Sequence, residues 1–146
     1  MSEPSHDELF AALAAAEVAR GRGREVTVPP EWRVGTRRKI KRPRWKACYV
    51  AAVQYVLSHP DLAPTLVHGT YMRDPWPVPT PHAWVEIEST TVYDGVTGRF
   101  YDRTSYYETT HAVAEAKYSV REAAEQMLSE NHCGPWHDVR PEVTMA

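Results

Sequence analysis

Cys48 stands at the head of an apolar-striped run, Lys46-Ala47-Cys48-Tyr49-Val50-Ala51-Ala52-Val53-Gln54-Tyr55-Val56-Leu57-Ser58. His82 opens a strand-like segment further on, and Asp94 closes the next one. A thiol, an imidazole and a carboxylate in that order are the parts of a nucleophile site. A thiol attacks as its thiolate, a form that the outward N–H groups and dipole of a helix N-terminus favour. The imidazole accepts or shares the thiol proton, and the carboxylate holds the ring in the useful tautomer and orientation. Asp102 competes with Asp94 for the orienting role, because Phe100-Tyr101-Asp102 also reads as the end of a strand.

These three residues need elements to position them. The run from about Trp45 or Lys46 to Ser58 repeats apolar residues at Tyr49, Ala52, Val53, Val56 and Leu57, the spacing of a buried helical face, and Pro60 follows. Thr65–Met72 is rich in β-formers. The segment 74–81 carries four prolines and reads as a stiff loop that does not pair, placed to wall a substrate groove. In His82–Glu88, Ala83, Val85 and Ile87 share one face, and His82, Trp84 and Glu86 the other. Glu86 and Glu88 are expected to be solvated. Thr90–Asp94 is a short strand, and 98–107 supplies a fourth. Near the N-terminus, Ser5 with Glu8 forms a capping-box pattern for a helix to about Arg20, stopped by Gly21-Arg22-Gly23-Arg24. Ser119 with Glu122 repeats that pattern, with Val120, Ala123, Ala124, Met127 and Leu128 as core face and Gly134-Pro135 as terminator. The order of helix, loop, helix, antiparallel strands and helix predicts an α+β fold: a central helix carrying Cys48 packed on a small antiparallel sheet. The expected organisation is one domain, with an N-terminal helix (1–24), a basic loop (25–46), a catalytic core (47–108) and a C-terminal helix with tail (109–140).

Composition narrows the function classes. A chain of 146 residues, 42% hydrophobic and 25% charged, is long enough to bury a core without metals or staples. A net charge of −2 gives no global attraction to nucleic acid or acidic membranes. The two cysteines, Cys48 and Cys133, form no CxxC pair, so neither a disulfide framework nor a thiolate zinc site is indicated, although spacing leaves a single bridge open. The seven histidines lack H-E-x-x-H spacing, and the His132-Cys133…His137 group reads as a frayed helix end. No metal or organic cofactor is implied. The N-terminus does not read as a signal peptide and no stretch is long enough to span a bilayer, which makes a cytoplasmic location the expectation and a membrane partner unexpected.

Four pieces carry a resemblance: Ala47-Cys48-Tyr49, Val67-His68-Gly69-Thr70-Tyr71, His82-Ala83-Trp84-Val85-Glu86 and Val92-Tyr93-Asp94. Together they resemble the minimal core of transglutaminase-like proteins, within the papain-like cysteine superfamily, over roughly residues 45–96. The resemblance implies chemistry at an amide or acyl bond of a peptide or protein substrate through a thioester, as in peptidases, deamidases and acyl transferases. It makes Cys48 the nucleophile, His82 the base and acid, and Asp94 the orienter. Papain-like peptidases place a Gln shortly before the Cys as an oxyanion donor, and this chain has Arg42-Pro43-Arg44-Trp45-Lys46-Ala47 there instead. The Cys48 N–H is one candidate donor, with Trp45 or Lys46 as a second. Tyr71, Trp76 and Trp84 are candidate groove residues, alongside Tyr93, Tyr106 and Tyr107.

Two other readings fit the same residues. The domain has this fold but binds a peptide or protein, Cys48 serving only to pack. Alternatively, Arg37, Arg38, Lys39, Lys41, Arg42, Arg44 and Lys46, bracketed by Trp32 and Trp45, contact phosphates or stack on single-stranded nucleic acid.

Overall fold

The computed structural model describes residues 21–36, 46–73 and 76–136, with the backbone alone at 73, 76 and 77. The predicted N-terminal helix and all of the basic stretch except Lys46 lie outside the described residues. The predicted helix around Cys48 is α1, Ala47–Ser58. Strands β1 (Thr65–Arg73), β2 (Trp76–Ile87), β3 (Thr91–Asp94) and β4 (Arg99–Asp102) follow. Then come α2 (Arg103–Thr110), β5 (Val113–Tyr118) and α3 (Val120–Glu130). The strands form one open antiparallel sheet in the order β4-β3-β2-β1-β5, so the fold is α+β.

Strand alternation sorts the core into two layers. Ala83, Val85 and Ile87 of β2 pack with Tyr49, Ala52, Val53 and Val56 of α1, joined by Leu66, Tyr93 and Phe100. Residues one step out of phase, Val67, Trp84 and Val92, pack with Tyr101 and with Tyr106 of α2 on the other side of the sheet. Both faces are covered, which is why Ala83 to Ile87 are buried without interruption.

Several expectations require correction. The proline-rich segment is not an unpaired loop: β2 begins at Trp76 and pairs with β1 through Tyr71↔Thr80 and Thr70↔Pro81. Pro79 and Pro81 share a parity, so their missing N–H groups lie together on the edge away from β1. Strand β3 pairs with β2 only from Val85 onward, so that edge asks for no donor there. Residues 98–107 do not form one strand; Asp102 ends β4 and its side chain accepts from the Ser105 N–H at 2.9 Å, starting α2. That capping role removes Asp102 as the rival orienter. Strand β5 was not anticipated. It is an edge strand whose inward positions carry small Ala114 and Ala116, too weakly apolar to signal a strand.

The Ser119–Glu122 capping box forms as expected, but α3 ends at Glu130 with Asn131 in the left-handed region (φ 58°), ahead of Gly134. Leu128 is 86% exposed, because the packed stripe of α3 runs through Val120, Ala123 and Met127. Leu57 is likewise turned outward, while α1 buries Ala51 and Tyr55 instead. Among the described residues no helix is long and apolar enough to cross a membrane.

One close approach fixes α1 against the end of β3. A Cβ on Gly95 would lie 2.3 Å from the Ala51 Cβ, one helical turn beyond Cys48. Gly95→Ala is therefore expected to force α1 and β3 apart at a cost of about 1–3 kcal/mol. Urea unfolding measures this, and pairing it with Ala51→Gly should recover part of the loss as a positive coupling in the double-mutant cycle.

Candidate functional site

The register explains how His82 and Asp94 meet. The last β2–β3 pair at this end is Val85↔Tyr93, so Asp94 lies one residue past the pairing and His82 sits on the overhang of β2. On β1, the residue opposite His82 is Gly69. A Cβ there would stand 1.9 Å from the Val113 carbonyl oxygen, at the irregularity where β5 pairs. Two residues further along β1, the Tyr71 ring lies parallel over the His82 ring, 3.7 Å between centroids and 6° between planes.

His82 Nε2 lies 3.0 Å from Asp94 Oδ2, and the Cys48 thiol adds to the electrostatic environment of the same imidazole. Cys48 is the second residue of α1, in the turn whose N–H groups project from the helix end; Tyr49 and Val50 bond back to the Lys46 carbonyl at 3.1 and 3.2 Å. Both cysteines are free thiols. Of the three sequence-predicted residues His82 and Asp94 are brought into contact, and all three are buried: Cys48 is 8% exposed, His82 2% and Asp94 0%.

Asp94 is satisfied at both oxygens. Oδ1 accepts from the Val96 N–H at 2.9 Å, and Oδ2 also accepts from the Tyr106 hydroxyl at 2.8 Å. Arg22 Nε stands 2.9 Å from Oδ2, but its N–H is not aimed along that line, so this contact is an ion pair rather than a hydrogen bond. Arg22 Nη2 donates to the Tyr71 hydroxyl at 3.1 Å. Burial alone would push the Asp94 carboxyl up; His82 and Arg22 outweigh it and hold the carboxyl well below the usual carboxylate range. Burial also opposes charge on His82, yet Asp94 and Cys48 raise its pKa to about 10. Burial and Asp94 push the Tyr106 phenol well above its ordinary value, keeping it a donor.

The remaining candidates divide. Lys46 is exposed immediately before α1, Trp45 lies outside the described residues, and only the backbone of Trp76 is described. Trp84 is fully buried, 5.9 Å from His82 by ring centroids, with its indole N–H donating to the Tyr107 hydroxyl at 3.1 Å. Tyr93 and Tyr106 are also buried, so these three aromatics pack the core rather than line a groove. Glu86, expected to be solvated, is 8% exposed. It accepts from Arg103 at 3.0 Å, Lys117 at 3.2 Å and the Tyr107 hydroxyl. Burial would raise its pKa, but the Tyr107 bond and the two cations lower it.

A cavity of about 550 Å³ opens beside that cluster, lined by residues including Thr65, Glu86, Ser89, Arg103 and Lys117, and does not reach Cys48 or His82. Among the described residues no group of His, Cys, Asp or Glu converges as a metal site. Sequence reasoning missed Arg22, read only as part of a helix stop, and gave Tyr106 the wrong role. Neither residue is near Asp94 in the chain, and nothing local signals the contact. Comparison with protein-family models, curated proteins and solved structures returned no match.

The pH dependence follows from the signs. The His82 pKa is raised from 6.5 to about 10 on folding, so its stabilising contribution is complete below pH 6.5 and disappears as pH rises through about 10. Asp94 is depressed, so its contribution is complete above the ordinary carboxyl value of 3.8 and disappears as pH falls below it. The stability gap between wild type and Asp94→Asn should therefore be widest between those limits and narrow on both sides. Urea midpoints measured across the pH range check it.

Proposed function

We propose that the protein is a cysteine-nucleophile enzyme acting on an amide or acyl bond of a peptide or protein through a thioester. The observation that carries this reading is the buried His82–Asp94 pair, 3.0 Å from Nε2 to Oδ2, with the buried Cys48 thiol in the first turn of α1. Its resemblance to the transglutaminase-like and papain-like core supports the same assignment. His82 takes the thiol proton as the Cys48 sulfur attacks the carbonyl carbon, and the carbonyl π electrons move to oxygen. The resulting oxyanion is held by the Cys48 N–H at the head of α1, with Lys46 or Trp45 as second donor; one such donor is worth about 3 kcal/mol. The C–N bond then breaks, and the departing amine takes the proton held by His82. Water or a second amine attacks the thioester, His82 accepts its proton, and the Cys48 sulfur leaves. Water makes the enzyme a peptidase or deamidase, and an amine makes it an acyl transferase. Asp94 holds the ring from behind, and Tyr71 restricts its tilt.

Burial of Cys48 within the core beside Tyr49 and Ala52 favours one rival, a binding domain in which the thiol only packs. An electrophilic peptide probe read by intact mass separates the two. In the enzyme, Cys48 labels quickly at neutral pH and Cys133 slowly. Cys48→Ala folds and loses labelling at that site, and His82→Ala lowers the acylation rate on the order of 10³-fold. Asp94→Asn keeps partial activity. Slow labelling of wild-type Cys48, with a Cys48→Ala protein that unfolds, would establish the packing role instead. Replacing the basic residues 37–39 by Ser should leave labelling unchanged; a loss of salt-dependent nucleic-acid binding in that variant would favour a nucleic-acid partner.

A further inference from the structure

The cavity beside Glu86 takes no part in the chemistry at Cys48, yet its volume of about 550 Å³ is that of a small-molecule site. Glu86 is the one buried residue in its lining. Both carboxylate oxygens are spent: Oε2 accepts from Arg103 Nε at 3.0 Å and from the Tyr107 hydroxyl, and Oε1 accepts from Lys117 Nζ at 3.2 Å. A carboxylate so engaged has little left to offer a cation.

The capacity that remains is almost all donor. Glu86 takes one N–H from Arg103 and one from Lys117, so the Arg103 Nη1 and Nη2 groups and the rest of the Lys117 ammonium have no acceptor among the described residues. Thr65, the Cα partner of Glu86 across β1 and β2, and Ser89 add hydroxyls to the lining. Arg103 is also held in place, because its guanidinium carbon lies 4.6 Å from the Tyr107 ring centroid while Nε is anchored on Glu86. A fork fixed in this way loses little freedom when a ligand arrives. Since both cations are anchored on one carboxylate, they are close enough for a single oxyanion to bridge them. Exposed Glu88 also lines the cavity but pairs with neither cation, and it would repel a second anionic group on the same ligand.

The backbone around the cavity points the same way. Five non-glycine residues among those described have positive φ. His111 and Asn131 end α2 and α3, and both are residue types that tolerate the left-handed region. The other three, Ala63 at 46°, Glu88 at 55° and Ser89 at 61°, all line this cavity. Glu88 and Ser89 are the central pair of the turn closed by the Thr90 N–H on the Ile87 carbonyl, where Gly or Asn is the usual choice. Residues held in this region gather at ligand clamps, where the surrounding structure enforces them.

We propose that this cavity binds a small molecule through one oxyanion, a carboxylate or a phosphate, held by the Arg103 guanidinium fork and the Lys117 ammonium. The site is separate from Cys48 and His82 and does not rest on the thioester reading.

The test is an amide NMR titration of the full chain at constant ionic strength, with inorganic phosphate, butyrate and, as the charge-reversed control, butylammonium. Saturable shifts at the amides of Thr65, Ser89, Arg103 and Lys117 are expected with an anion and not with butylammonium. A preference for butyrate assigns a carboxylate ligand and a preference for phosphate a phosphoryl one; either supports the site. Arg103→Gln should weaken binding on the order of tenfold by removing charge-assisted bonds, and Arg103→Lys should recover only part of it because the fork is lost. Should Arg103→Gln not fold, with Glu86 left short of a partner, the Ser89 variants decide. Ser89→Asp leaves every partner of Glu86 in place, and aspartate accepts positive φ. It should weaken anion binding on the order of tenfold or more through like-charge repulsion, while Ser89→Asn binds as wild type does. Equal affinity in Ser89→Asp and Ser89→Asn would overturn the proposal. So would shifts that never saturate, shifts confined to residues 37–46, or equal binding of butylammonium.

Discussion

The Oδ2 atom of Asp94 is the point on which the site depends. It sits on a fully buried carboxylate and meets His82 Nε2 at 3.0 Å, the Tyr106 hydroxyl at 2.8 Å and Arg22 Nε at 2.9 Å. A buried anion without partners would shed its charge by taking a proton. Each neighbour that keeps Asp94 ionised comes from a different part of the chain: His82 from β2, Tyr106 from α2 and Arg22 from the segment ahead of α1. The carboxylate thereby ties three elements to the end of β3, and the charge it retains is what keeps a proton on His82.

Steric gaps are as necessary as the polar contacts. Gly69 lets the Val113 carbonyl of β5 close against β1 opposite His82, and Gly95 lets α1 approach the end of β3. A side chain at either place would separate groups whose interaction falls off within about an ångström. The low exposure of Cys48, His82 and Asp94 also keeps water from them, so each charge–dipole contact there is stronger than at the surface.

Glu86 shows a second solution to the same problem on the same strand. Four residues beyond His82, its buried carboxylate is held by Arg103, Lys117 and Tyr107, and the Tyr107 hydroxyl in turn accepts from Trp84. This network stiffens β2 against α2 and β5, and it accounts for an acidic side chain surviving between buried Val85 and Ile87. Here two cations face one anion at a partly exposed rim, where solvent accommodates the excess. Around Asp94 the anion is fully buried, and the Arg22 side chain, 20% exposed, is the cation that meets it.

The sequence by itself determined the local elements and the short list of reactive groups. Apolar spacing placed α1, alternation assigned the two faces of β2, and the Ser119–Glu122 pair marked the start of α3, because each depends on residues within a turn or two of one another. The contact of His82 with Asp94 was legible from their order and from their positions at element ends. Tertiary structure decided what depended on distant neighbours. It paired a proline-bearing segment as a strand because the edge lacking N–H donors has no partner there. It used weakly apolar 113–118 as an edge strand because β1 offered a ladder. It chose Asp94 over Asp102, since the second aspartate is consumed in capping α2. Above all it delivered Arg22, a residue with no local pattern to mark it, to a carboxylate far along the chain, because electrostatic pairing in a buried site is set by distance in space and leaves no periodicity to read.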